Sequence, residues 1–112
     1  MNRSSRIFLL FLILLGLASS CRSAPHFNFG PYSEAEKLYQ KGKYEKAIAK
    51  YEEYLRENPQ GNIAVVSYYY MAKSYEGLDR PEKARPLYRK IAKEHPGLIW
   101  AEFAKTRLKE LK

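Results

Sequence analysis

The sequence predicts an all-α fold made of antiparallel helical hairpins, and three observations support that prediction. Apolar side chains recur at three- and four-residue steps along most of residues 33–111, which is the period of a helix with one buried face. A shift of 37 residues superposes one part of this pattern on another. The pairs Asn58-Pro59 and His95-Pro96 close equivalent stretches of the two copies, because proline does not continue a helix.

The first hairpin is predicted within residues 32–59. Ser33 and Glu36 have the spacing of a capping box, in which two side chains satisfy backbone N–H groups at a helix start, so we expect a helix from about Ser33 to Lys41. Gly42 ends this helix. A second helix is expected over residues 44–57, with a buried stripe of Ala47, Ile48, Tyr51, Tyr54 and Leu55.

The second hairpin is predicted over residues 62–96. Asn62 is expected to cap a third helix that ends at Gly77, with an inward stripe of Val65, Tyr68, Met71, Ala72 and Tyr75. Asp79 and Glu82 repeat the capping-box spacing and predict a fourth helix that ends near Glu94. Pro86 lies inside that helix, where it removes one backbone hydrogen bond and predicts a bend.

A last helix, over about residues 99–111, is predicted to cover the second hairpin. Its apolar side consists of Trp100, Phe103, Ala104, Leu108 and Leu111. Residues 21–31 have prolines and a glycine but no helical period, so we expect a flexible tether there, followed by a single helical domain over residues 32–112.

Residues 1–20 are predicted to form a signal peptide. Arg3 and Arg6 precede an unbroken apolar run, and small residues follow it directly before Cys21. The stretch from Ile7 to Ala18 is shorter than the roughly 20 residues that a membrane-spanning helix needs. The alternatives are ordinary cleavage of the signal peptide, which leaves Cys21 with a free thiol, and an uncleaved membrane anchor.

Cys21 is the only cysteine, so an internal disulfide is impossible and the role of its thiol depends on its position. The segment Leu17-Ala18-Ser19-Ser20-Cys21 resembles a bacterial lipobox, with the usual leucine one place early. The resemblance implies cleavage between Ser20 and Cys21 and a diacylglyceryl and N-acyl lipid on Cys21, and several acyl chains hold a protein firmly at a membrane. Arg22, in the place of a retaining aspartate, implies by the same resemblance the periplasmic side of the outer membrane.

The repeat has the pattern of a known family. The shift of 37 residues superposes Tyr51 on Tyr88 and Pro59 on Pro96. The second copy resembles the tetratricopeptide repeat (TPR), in which small residues let two helices approach closely and aromatic rings fill the gap, through Tyr68, Met71, Ala72, Tyr75, Ala84, Tyr88 and Pro96. The first copy departs from the pattern at Pro31, where a leading aromatic is usual. The resemblance implies an α-solenoid fragment of about two and a half repeats.

The order of these parts resembles the BamD-like family of outer-membrane assembly lipoproteins. A lipobox-like segment, a basic tether, proline-closed hairpins and a final helix with Trp100-Ala101 carry the likeness. That family typically has five repeats, more than this chain has, so the chain can share the fold of the family without sharing its function. The resemblance implies a lipid-anchored scaffold or adaptor in the bacterial cell envelope, with outer-membrane protein assembly as a candidate process.

TPR hairpins stack so that their first helices line a concave face, which binds a peptide or a partner helix. Tyr69 and Tyr70 are the strongest candidates in this groove, because Tyr68 already belongs to the buried stripe and rigid rings are favoured at binding sites. Packing on the last helix is the alternative for Tyr70. The predicted lining is Tyr32, Glu36, Tyr39, Val66, Tyr69, Tyr70, Lys73, Phe103 and Arg107.

Two other functions fit the sequence. The fourth helix carries a row of cations that suits a membrane surface or cell wall, although the sequence favours a solvated outer face as their explanation: Arg80, Lys83, Arg85, Arg89, Lys90 and Lys93. The second of these functions is that of a self-assembling structural lipoprotein, such as a homodimer whose apolar ends join. We expect no enzyme activity, cofactor or metal site, since His26 and His95 have no second ligand or nucleophile at useful spacing. We also expect no nucleic-acid partner, because the protein is predicted to be exported.

Overall fold

The computed structural model describes residues 29–111, and this part of the chain confirms the all-α prediction. The predicted signal peptide, the cleavage site at Ser20 and Cys21, the lipid and most of the tether lie outside the described residues. Five helices follow one another without a strand between residues 29 and 111: α1 Gly30–Gln40, α2 Tyr44–Glu57, α3 Asn62–Gly77, α4 Pro81–Glu94 and α5 Ile99–Glu110.

The helices form two hairpins and a covering helix. Each helix packs on the next, and α1, α3 and α5 also contact one another in order, whereas α2 and α4 do not meet within the described range. The 37-residue repeat is visible in the bounds, because α2 and α4 begin at Tyr44 and Pro81 and α3 and α5 begin at Asn62 and Ile99. The first helices therefore form one layer, on which the candidate site lies.

Two connected clusters of side chains hold the layers together. All five residues of the predicted α2 stripe are buried. Ala47 and Ala84 are fully buried at equivalent places, where the absence of a larger side chain lets neighbouring helices approach. Tyr68 and Tyr75 are half-buried between the two clusters, and the other members of the α3 stripe are buried.

Two buried serines on α3 were not predicted. Ser67 and Ser74 are fully buried because each hydroxyl donates a hydrogen bond of 2.7 Å to a backbone carbonyl one turn earlier, that of Ile63 and that of Tyr70. A serine bonded in this way leaves no polar group unsatisfied. It can therefore fill a place that suits alanine.

The predicted helix starts need correction. The helix α1 begins at Gly30, so the last two residues of the predicted tether are helical and the domain begins before residue 32. Pro31 occupies the second position of the helix, where its missing N–H costs nothing. The capping box at Ser33 does not form, and Glu36 instead accepts a hydrogen bond of 2.7 Å from the Tyr32 hydroxyl.

The starts of α3 and α4 also differ from the prediction. Asn62 is the first residue of α3, after Gly61 at the cap position. Asp79 lies in the preceding turn with φ +56° and makes no cap for α4, which begins at Pro81. The helix α4 is continuous through Pro86, since only one backbone bond is lost there. Its bend stays a prediction.

Candidate functional site

Five aromatic rings form a continuous surface across the layer of first helices, which we call the aromatic ridge: Tyr39, Tyr69, Tyr70, Trp100 and Phe103. The ring centroids of Tyr39 on α1 and Tyr70 on α3 are 5.0 Å apart. Tyr70 is 6.1 Å from Trp100 on α5, and Trp100 is 5.6 Å from Phe103. These are edge-to-face distances, so each ring supports the next. The ridge joins three helices that are separate in sequence.

Tyr69 and Tyr70 both contact Trp100 on α5, and each also contacts a ring of a second helix. Neighbouring residues on a helix point about 100° apart. The Tyr69 ring lies 5.6 Å from that of the fully buried Tyr88 on α4 and 5.1 Å from that of Trp100 on α5, so Tyr69 packs between these helices as well as belonging to the ridge. Tyr70 packs on Trp100, as the alternative interpretation predicts, and it is half-buried at the centre of the ridge.

The polar ends of the ridge are free to bind a ligand. No hydrogen bond to a group within residues 29–111 is donated by the hydroxyls of Tyr39, Tyr69 and Tyr70 or by the Trp100 indole N–H. These atoms are also not sealed in the interior, because the Tyr51 hydroxyl is the only buried side-chain polar atom without a partner in the described chain. The ridge therefore presents several open donors beside apolar ring surface.

Burial keeps two of these hydroxyls protonated. Desolvation raises the pKa of Tyr39 above its ordinary value of 10.0, and the nearby Tyr44 adds to the rise. Desolvation also raises the pKa of Tyr69, against the opposing effect of Arg107. Both side chains are neutral hydrogen-bond donors at physiological pH.

The other predicted lining residues separate into open and occupied ones. Val66 and Lys73 are half-buried on α3, and no ion pair occupies Lys73 within the described residues. Tyr32 instead faces the interior, with its ring 5.7 Å from that of Tyr54 and 6.2 Å from that of Tyr51. Phe103 is 43% exposed and is the most accessible ring of the ridge.

Arg107, a predicted lining residue, is bonded within the protein, in a three-residue contact that we call the Glu76 clasp. Its Nε donates to Glu76 Oε2 at 3.2 Å, and a second guanidinium nitrogen donates to Oε1. The Tyr88 hydroxyl of α4 donates to the same carboxylate. The clasp thus joins α3, α4 and α5 beside the ridge. Sequence analysis missed Glu76.

The clasp changes the acidity of its members. Burial by itself would raise the pKa of the Glu76 carboxyl, whose side chain is only 12% exposed, but the hydrogen bonds from Arg107 and Tyr88 outweigh it and hold the pKa below 4.5. Desolvation and the bond to Glu76 raise the pKa of Tyr88. Glu76 is therefore ionised and bonded at neutral pH.

Several cations of the basic row on and just before α4 have partners in the described chain. Arg80 pairs with Glu45 at 3.4 Å and Lys90 with Glu94 at 3.0 Å. Lys83 and Lys90 also lie over aromatic rings, those of Tyr75 and Tyr68. Internal contacts of this kind account for much of the basic row without an external anion.

A separate cleft of about 450 Å³ lies where the end of α4 meets the start of α3. Tyr68 and Ala64 are among its lining residues, and by helical geometry Tyr68 lies roughly opposite Tyr70 on α3. Among residues 29–111 no three potential ligand side chains gather around a metal position. No helix in the same range has the length and hydropathy needed to cross a membrane.

Comparison with known proteins finds a similarity in the second hairpin. Residues 66–97 match the family model described as Tetratricopeptide repeat, a module that generally mediates protein–protein interactions. No curated protein matches the chain in sequence. The matched stretch contains most of α3, all of α4 and the turn after it, so the TPR-like reading of this hairpin rests on sequence and on structure alike.

Proposed function

We propose that the chain is a lipid-anchored scaffold of the bacterial cell envelope, which binds another protein through the aromatic ridge. The observation that carries the proposal is the joining of half-buried rings from α1, α3 and α5, centred on Tyr70. Rings of this kind contribute a large apolar area together with polar ends, which suits protein interfaces. The similarity of residues 66–97 to a protein-interaction repeat supports the same function.

The membrane attachment is proposed from the sequence. A basic start, an apolar run and small residues before Cys21 support removal of residues 1–20 and lipidation of the new terminal cysteine. The BamD-like resemblance and Arg22 favour the periplasmic side of the outer membrane, and they make outer-membrane protein assembly the process to examine first.

Self-assembly through apolar ends is less well supported. The 37-residue shift equates the α3 residues that face α4, such as Val65 and Ala72, with Glu102 and Lys109 of α5. Both of these α5 residues are exposed and charged. The outer face of α5 is therefore polar, and two copies would gain little apolar burial by joining there.

Phe103→Asp tests the scaffold proposal. Phe103 is 43% exposed, so the substitution adds a charge to the ridge with little cost to the core. The epitope-tagged full chain is cross-linked in cells, and the captured partner is quantified by mass spectrometry of the membrane fraction. We expect at least a tenfold loss of the partner, as at a binding hot spot. The same spectra report the mass of the lipid on Cys21.

Arg89→Asp is the matched control. It places the same charge on the exposed side of α4, away from the ridge, and should leave the captured partner at the parental level. Both variants must keep the parental helicity by circular dichroism. Undiminished capture by Phe103→Asp, or equal losses in the two variants, would overturn the proposal.

A further inference from the structure

The helical domain has two ends, and the chain enters it from the tether at one of them. Successive helices are joined by short turns and run in opposite directions, so α1, α3 and α5 begin at the end where α2 and α4 finish. The cleft described above agrees with this arrangement, because Gly61 before α3 and His95 after α4 line it together. We call this the entry end of the domain.

The exposed large apolar side chains of residues 29–111 all lie toward the entry end. Phe29, directly before α1, is 40% exposed, and Ile99, the first residue of α5, is 60% exposed. Phe103 is one turn further along α5, where the ridge borders on this end. The turns at the opposite end carry exposed charges: Lys41, Lys43, Asp79 and Arg80. Single exposed apolar residues are common, but their restriction to one end indicates a contact there.

The tether identifies what this end meets. Cys21 and Phe29 are eight residues apart, so the backbone between them spans at most about 29 Å when fully extended. The helix α3 has 16 residues and is about 24 Å long, which places the opposite end of the domain farther from Cys21. A lipid on Cys21 therefore holds the entry end near the bilayer. Contact becomes effectively intramolecular, so a small contact area is sufficient.

The charges at the entry end also suit a phospholipid surface. Lys93, in the last turn of α4, is exposed and makes no ion pair within residues 29–111. Its neighbour Glu94 is paired with Lys90 at 3.0 Å. At the end of α2, Arg56 and Glu57 carry opposite charges. The charges of these two helix ends therefore sum to a positive value, beside apolar side chains, as in protein surfaces that lie in the bilayer interface.

We propose that the entry end rests on the surface of the phospholipid bilayer, with Phe29 and Ile99 in the headgroup region and Lys93 near lipid phosphates. This inference rests on the proposed lipid anchor, because the tether brings this end to the bilayer. The helices then rise from the membrane, and the ridge faces a partner that lies beside the domain at the same surface.

Fluorescence of Trp100 in the full chain tests the proposal. Trp100 is the only tryptophan and directly follows Ile99. The chain is purified from membranes and reconstituted in vesicles of phosphatidylcholine and phosphatidylglycerol, with or without a lipid that carries a nitroxide on its headgroup. Nitroxides quench tryptophan only at short range, so we expect a loss of at least about one third of the fluorescence. A smaller loss would overturn the inference.

Ile99→Asp gives a matched comparison. It replaces the apolar contact by a negative charge, and an acidic residue is favourable at the first position of a helix, so helicity should be retained. Quenching should fall at least about twofold. Ala49→Asp is the control, because it adds the same charge at an exposed apolar residue in the middle of α2 and should be quenched as the parent is. Equal quenching in all three chains would overturn the inference.

Flotation of the same vesicles separates this inference from the proposed anchor. A chain that floats with the vesicles while Trp100 stays unquenched would refute the contact at the entry end and leave the anchor intact. A chain that does not float would refute the lipid anchor, and the inference with it. Flotation of all three chains, with reduced quenching in Ile99→Asp alone, is the expected result.

Discussion

The two repeats place different chemistry at the same three positions. Where the first hairpin meets α3, Tyr39, Tyr51 and Tyr70 come from α1, α2 and α3, and the shift of 37 residues equates them with Glu76, Tyr88 and Arg107 of α3, α4 and α5. The first set is all aromatic, and its Tyr51 hydroxyl is buried without a partner in the described chain. The second set is the Glu76 clasp, in which every polar group is bonded.

The difference shows how the same arrangement of three helices can form either an open binding site or a closed internal contact. We call these two places the first and the second joint. An aromatic pair across the first helices leaves donors for a ligand, as Tyr39 and Tyr70 do. An ion pair at the equivalent places uses its groups inside the protein and fixes α5 on the second hairpin. Binding is therefore expected on the first joint and stability on the second.

Arg107→Met should have the largest effect on stability. It leaves the Glu76 carboxylate, only 12% exposed, without its cation, and we expect the free energy of unfolding at neutral pH to fall by about 2 kcal/mol. Urea unfolding followed by circular dichroism measures the change. Lys105→Met is the control on the same helix, because its pair with Glu102 is exposed and should contribute less than about 0.5 kcal/mol.

The same variant has a pH signature. Since the pKa of Glu76 is lower in the folded chain than its ordinary value of 4.5, the clasp stabilises the fold fully above pH 4.5 and loses that contribution as the pH falls through the lowered value. The difference in stability between the parent and Arg107→Met should therefore shrink in acid. A difference that is constant down to acid pH would contradict an ionised Glu76 as its source.

Tyr88→Phe and Tyr51→Phe compare the two joints directly, with the same atom removed at equivalent positions. Tyr88→Phe loses a hydrogen bond to a carboxylate, so the free energy of unfolding should fall by about 1.5 kcal/mol. Tyr51→Phe removes a buried hydroxyl without a partner, so stability should be unchanged or rise by up to about 1 kcal/mol. Equal losses in chemical denaturation would show that the joints do not differ as described.

The turns before α2 and α4 give the smallest expected effect. Gly42 and Asp79 occupy equivalent turns with φ +73° and +56°, a region that glycine adopts without strain. Asp79→Gly should stabilise the fold by about 0.5 kcal/mol, and Gly42→Asp should destabilise it by a similar amount. Melting temperatures measured side by side decide the signs. If the two melting temperatures shift in the same direction, backbone strain is not the cause.

The regular part of the fold was predictable because local periodicity specifies it. Helix α2 has the predicted bounds, and its apolar stripe is the buried one, since a period of three to four residues leaves one face for the core. The helix starts were less predictable. Ser33 and Asp79 have capping-box spacing, but Pro31 and Pro81 fit the first turn of a helix equally well, and the structure uses the prolines.

The sequence predicted which face of the helical layer carries the candidate site, but it did not predict the contacts that the side chains make there. The repeat alignment selected the ridge tyrosines and Phe103, because equivalent positions on first helices share a surface. It also selected Arg107 and missed Glu76, since their contact joins residues 31 apart in sequence. One signal was present: the alignment replaces the tyrosine pair at 39 and 70 with opposite charges at 76 and 107.

Site-specific photo-cross-linking tests the central claim, that this chain binds its partner protein through the ridge. A photoreactive phenylalanine derivative replaces Phe103 in one variant and Arg89 in another, and the intact cells are irradiated. Cross-linking of the partner from position 103 and its absence from position 89 is the predicted result. Cross-linking from position 89 alone would place the partner on the outer face of α4 and contradict the account.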